Sequence, residues 1–173
     1  MEKTLVNKVA ESGLITLKPE TWVPSVPVAA FDLQEHLFQG LILKEQDFRD
    51  TLKTMDWSVY KDQVLCVYCS TDAIIPSWAY MLVATYAAPF AANIFYGNQE
   101  QWVGHALLRH IEQLDITEYK DQRVIIKGCS DEFPIGPEVY VALTAKLVPV
   151  VKSLMFGEPC STVPVYKRPK PTT

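Results

Sequence analysis

The chain has 173 residues, 49% hydrophobic and 21% charged, with a net charge of −4. That length and balance suit one globular domain with a sizeable core and exclude a disordered chain. The acidic balance and the absence of a dense Lys/Arg cluster predict no nucleic-acid partner. The nearest basic run, YKRPK (Tyr166–Lys170), reads as a solvated tail.

The opening stretch MEKTLVNKVAESGLITL holds no apolar run of signal-peptide length, which predicts a cytoplasmic protein. Its four cysteines are then expected as reduced thiols or metal ligands. The segment KPETWVPSVP is a proline-rich loop, and VAAFD (Val28–Asp32) reads as a strand. Asp32 is placed to cap the turn that carries His36. Phe48, Leu52 and Met55 form one apolar stripe on a helix that starts near Lys44.

From Val64 the chain reads strand, loop, helix, strand. VLCVYC is short and apolar, STDAIIP is a loop, Ser77 is the expected helix cap, the helix runs to near Pro89, and NIFYG closes the segment. The next helix, QEQWVGHALLRHIEQLD, puts Trp102, Val103, Ala106, Leu107, His110, Ile111 and Leu114 on one face, so His110 is expected as a core residue. His105 falls on the polar face with Arg109 and Glu112. Then RVIIKGC, SDEFPIG, a helix with Pro137 in its first turn, and SLMFG give the same order again.

The second segment copies the first. MDWSVYKDQ (Met55–Gln63) recurs as LDITEYKDQ (Leu114–Gln122) at a shift of 59. With a one-residue insertion placed at Arg123, Val64, Cys69, Ser70, Ile75, Tyr80, Pro89 and Gly97 match Val124, Cys129, Ser130, Ile135, Tyr140, Pro149 and Gly157. Tyr80 and Tyr140 then read as core packing one turn into each helix. The expected fold is α/β, a largely parallel sheet with helices on both faces. It contains two tandem strand-loop-helix-strand repeats, about 55–97 and 114–157, in a single domain with an N-terminal segment 1–54.

No charged residue occurs between Ala73 and Gln99, a length that could span a bilayer. The second copy carries Glu138, Lys146 and Lys152, so the uncharged helix is expected not in a membrane but buried, or in a homodimer interface across residues 77–91.

The repeat separates the cysteines of CVYC. Cys66 falls within the strand and matches an isoleucine, the behaviour of a small core hydrophobe. Cys69 and Cys129 fall at strand ends, and Cys160 follows SLMFG by three residues. At the carboxyl edge of one parallel sheet these three thiols would converge, with Asp72 and Glu158 as carboxylates nearby. Three cysteines with one open or carboxylate position suit zinc, and iron or an Fe–S cluster less well. Two other readings stand beside this one: a metal-free reactive thiol, and a non-enzymatic dimeric interaction module. Neither a glycine-rich phosphate loop nor a G-x-S-x-G elbow occurs, so no enzyme class follows.

Five stretches carry a family likeness: SGLITL, GLILKEQDFR, CSTDAIIPSWAYMLVA, IKGCSDEF and VKSLMFGEPCSTVP. Together they resemble an uncharacterised bacterial family, the domain of unknown function numbered 2480, from about Val6 to Lys167. The resemblance implies a bacterial single-domain protein and assigns no catalytic residue.

Overall fold

A computed structural model of the protein describes residues 14–128, 134–158 and 161–170. In chain order its elements are β1 (Leu14–Leu17), β2 (Val28–Asp32), α1 (Glu45–Thr54), β3 (Val64–Tyr68), α2 (Ser77–Ala87), β4 (Asn93–Tyr96), α3 (Gln99–Gln113), β5 (Arg123–Ile126), α4 (Pro137–Leu147), β6 (Ser153–Glu158) and β7 (Ser161–Lys167). The fold is mixed α/β and mostly parallel, but it has two sheets where the sequence predicts one. The orders are β2-β3-β4 and β1-β5-β6-β7, and among the described strands only the β6–β7 pair is antiparallel. The cause is strand pairing within each segment: β3 lies between β2 and β4, and β5 between β1 and β6, so each central strand satisfies its backbone groups without the other.

The chain divides into two compact units, Pro24–Trp102 on the one hand and Met1–Val23 with Val103–Thr173 on the other. In the first, Phe31, Leu65 and Val67 of the sheet pack with Phe48 and Leu52 of α1 and with Ala79, Val83 and Ala87 of α2. Trp57 stacks between Phe31 and Tyr86, with ring centroids 5.7 and 5.6 Å away, and its Nε1 donates to the Leu52 carbonyl at 2.8 Å. A buried indole thus keeps its hydrogen bond. The predicted stripe on α1 holds: Phe48 and Leu52 are buried and Met55 is half-buried.

The second unit buries Val124, Ile125 and Ile126 of β5 with Val139, Leu143 and Leu147 of α4 and with Val103, Leu107 and Ile111 of α3. Lys146 Nζ donates to the Ile111 and Glu112 carbonyls, each at 2.6 Å, at the carboxyl end of α3 where a cation is favoured. His110, expected in the core, is exposed and stacks on Trp22 at 4.8 Å. The buried stripe of α3 is narrower than its apolar face, so position 110 falls at its rim.

The two units use the same local devices. Asp62 and Asp121 have φ of 59° and 60°, and their amides donate to the Phe90 and Val150 carbonyls at 3.2 and 2.9 Å. Asp56 accepts from the Ser58 amide and hydroxyl, as Asp115 does from those of Thr117. Pro137 lies in the first turn of α4, as its sequence position predicts. Ser77 is not the cap of α2: Pro76 holds that position, without a side-chain cap bond. Helix α2 has 11 residues and exposes the uncharged Met81 at 69%. Among the described residues no helix is long and apolar enough to cross a membrane.

The stretch read as a solvated tail is partly strand β7, which includes Tyr166 and Lys167. Arg168 extends the contact by an ion pair to Asp121 and a 2.6 Å bond to the Val150 carbonyl. Pro164 hid this strand, since proline is confined to sheet edges and bulges; it faces Met155 beside a register shift.

Two glycines separate backbone strain from crowding. Gly157 has φ of 119°, and a Cβ there would lie 2.5 Å from the Ser161 carbonyl oxygen; Gly40 has φ of 71° with open space around it. Gly157→Ala is expected to cost about 1–3 kcal/mol. Gly40→Ala should cost only ~1 kcal/mol, the left-handed penalty alone. Urea midpoints for the two variants check the difference.

Candidate functional site

Parallel strands point their carboxyl ends to one edge, and ligands of open α/β sheets gather there. At that edge of the first unit, β3 ends in Tyr68, Cys69 and Ser70, β4 in Tyr96 and Gly97, and β2 in Asp32. The loop residues Thr71 and Ala73, Tyr80 in the first turn of α2, and Asn98 and Gln101 at the start of α3 complete the wall of a cavity of about 520 Å³. Its lining is polar and includes no lysine, arginine or histidine.

Each wall has a local cause. The Asp32 carboxylate accepts from the Gln34 and Ser70 amides, both at 3.0 Å, and so ties the end of β2 to the loop after β3. Ser70 Oγ donates to Gln34 Oε1 in the same knot. Burial alone would push the Asp32 carboxyl up, but the Ser70 hydroxyl, the two amides and nearby His36 outweigh it and hold the group below its ordinary value. His36 is pushed down by burial, stacked on Phe31 at 5.0 Å and edge-on to Phe48 at 5.4 Å.

On the far wall, Gly97 has φ of 132° and donates its amide to the Val67 carbonyl at 3.0 Å. The chain then enters α3 through a reciprocal cap. Asn98 Oδ1 accepts from the Gln101 amide at 3.0 Å, and Gln101 Oε1 accepts from the Asn98 amide at 2.9 Å. Tyr80 and Tyr96 meet edge to face, 5.1 Å between centroids at 84°. Burial, and then the neighbouring Tyr96, which also hydrogen-bonds it, with Cys69 and Asp32, push the Tyr80 phenol up. Cys69 Sγ lies 3.3 Å from Thr71 Oγ1 and is half-buried.

Of the five proposed ligands, Cys69 lines this cavity, while Asp72 is exposed and outside its lining. Glu158 lies in β6, 3.9 Å from Lys127 Nζ, which also meets Glu20 at 3.2 Å. Cys129 and Cys160, like Asp131 and Glu132, lie outside the described residues. Among the described residues no group of three His, Cys, Asp or Glu could hold a metal. The expectation of one shared sheet edge is corrected: Cys69 follows β3 and Cys129 follows β5, strands of different sheets.

In the first sheet Cys66 pairs with Phe95, and in the second Ile125 pairs with Met155. Cys66 is a core residue as expected, 1% exposed, and burial pushes its thiol up. Sequence reasoning missed Tyr80, Tyr96, Asn98 and Gln101. The N-x-x-Q spacing of a cap was present in NQEQ and marked the start of α3.

Residues 3–168 match a family described as a protein of unknown function, DUF2480. The chain belongs to the DUF2480 family. The likeness carried by CSTDAIIPSWAYMLVA and the four other stretches is borne out over nearly the whole chain. No curated protein and no solved structure matches this DUF2480 chain.

The Asp32 knot has a pH signature. Its carboxyl is depressed in the folded state, so its stabilisation is complete above the unfolded value of about 3.9 and is lost as pH falls through the folded value. Asp32→Ala should cost ~1 kcal/mol at pH 7, as loss of a cap does, with the gap to wild type closing in acid as pH falls through the folded value. Urea titrations at neutral pH and in acid measure it; a gap unchanged by acid would mean that the carboxylate bonds contribute nothing.

Proposed function

We propose that this protein is a small-molecule-binding domain whose site is the polar cavity at the carboxyl ends of β3 and β4, with Cys69 as its reactive group. One observation carries the reading: a half-buried thiol opens into a cavity of ligand size, walled by three tyrosines, two hydroxyl residues and two amides. Pockets of roughly 300–1,000 Å³ with convergent polar groups are the usual form of such sites. Alkylation with iodoacetamide, mapped cysteine by cysteine, tests it. Cys69 should react at least about tenfold faster than Cys66, whose thiol is buried. A fragment bound in the cavity should slow Cys69 alone. Cys69 labelling that no fragment slows would end the reading.

We also infer that the two strand-loop-helix-strand segments are a tandem duplication. The left-handed Asp62 and Asp121, the Asp56 and Asp115 turns, and the edge-to-face pairs Tyr80–Tyr96 and Tyr140–Phe156 support it.

A further inference from the structure

The reciprocal cap at the start of α3 fixes more than a helix end. Asn98 and Gln101 each spend their side-chain oxygen on the other's backbone amide. An amide group has one oxygen and one NH₂, so the cap leaves the two NH₂ groups unused by it, and both residues line the cavity. Tyr80 also lines the cavity, with its phenol hydrogen-bonded to the Tyr96 side chain. The Asp32 carboxylate already accepts from two backbone amides, and neither it nor the exposed Asp72 is part of the lining. The wall therefore offers hydrogen-bond donors, without a full positive charge to attract a polyanion. Beside them Tyr96 is 72% exposed and meets Tyr80 edge to face, so an aromatic ring stands at the cavity wall in reach of solvent.

Resting on the cavity being a ligand site, we propose that its ligand is a flat, uncharged, acceptor-rich heteroaromatic ring of nucleobase size, stacked on Tyr96, with its carbonyl groups on the Asn98 and Gln101 amides. Stacking on an aromatic face selects flat rings over saturated ones. A donor wall selects ring carbonyls over ring amines, because a ligand NH₂ set against a protein NH₂ leaves both unpaired after desolvation.

Three probes of similar size separate the choices: uracil, with two ring carbonyls; 2-aminopyrimidine, flat but donor-bearing; and dihydrouracil, with the carbonyls but not the aromatic ring. Binding is read by ligand-observed NMR and by slowing of Cys69 alkylation. Uracil should bind at least about tenfold more tightly than either control, one unsatisfied buried donor being sufficient for that ratio. The double variant Asn98→Asp, Gln101→Glu keeps both oxygens that cap α3 while removing both NH₂ groups. It should fold with an unchanged circular dichroism spectrum and lose uracil binding by about tenfold or more. Tyr96→Ala should lose a similar factor. If 2-aminopyrimidine or dihydrouracil binds as well as uracil, or the capped double variant binds uracil normally, the ring assignment falls while the cavity remains a ligand site. If none of the three protects Cys69, the ring assignment falls, and a wider fragment set that also fails removes the site itself.

Discussion

The two central strands set the terms for everything else. β3 is buried from Val64 to Val67 and β5 from Val124 to Ile126, so each needs cover on both faces and a hydrogen-bonded neighbour on both sides. Parallel neighbours meet that need only through crossover helices, α2 and α4, and these fill one layer each. The left-handed aspartates at the entry to each strand, tied to the carbonyls of Phe90 and Val150, hold the crossover's return at a constant height. Once height and direction are set, the carboxyl ends of β2, β3 and β4 must share an edge. Residues that have no neighbours in sequence, Asp32, Cys69 and Tyr96, are brought together by that constraint.

Most of the elements were legible because their signals are local. A continuous apolar run such as VLCVYC marks a covered strand, and the Phe48–Leu52 spacing marks a helix face. The division into two sheets was not legible. Whether β1 joins β5 or lies beside β2 is a long-range choice, and LITL and VAAFD carry no local mark of their partners. β7 was obscured by Pro164 and by basic residues that resemble a solvated end. His110 shows the same limit at the scale of one residue, since periodicity assigns a face but not where along its width burial stops.

The candidate site was legible to the extent that strand ends are. Cys69 could be placed because CVYC straddles the end of a strand, and Cys66 could be dismissed because its position is internal. Its proposed equivalence with Cys129 rested on where one inserted residue is put. Identity matching puts it at Arg123, where it makes Val64 match Val124 and Cys69 match Cys129. Tyr80 was read as packing for a related reason. In the first helical turn above a sheet edge, the same face that enters the core lower down borders the cavity.

Gly97 and Gly157 show how one backbone device serves two ends. Gly97 follows β4 and Gly157 lies within β6, both with φ above 100°, and both are closely approached, but by different things. At Gly97 the near atom is Gln101 Oε1, 2.6 Å from where a Cβ would stand, because the chain turns at once into α3 and folds its cap back. At Gly157 it is the Ser161 carbonyl, because the chain returns as β7 and seals the sheet. A positive φ thus serves a helix entry beside a polar cavity at Gly97 and a paired strand at Gly157. Nothing in the strand-loop-helix-strand segment itself decides between them. The choice lies in the next few residues, NQEQ against the stretch leading to STVPVYK, and with it the difference between an edge that can hold a ligand and one that finishes a sheet.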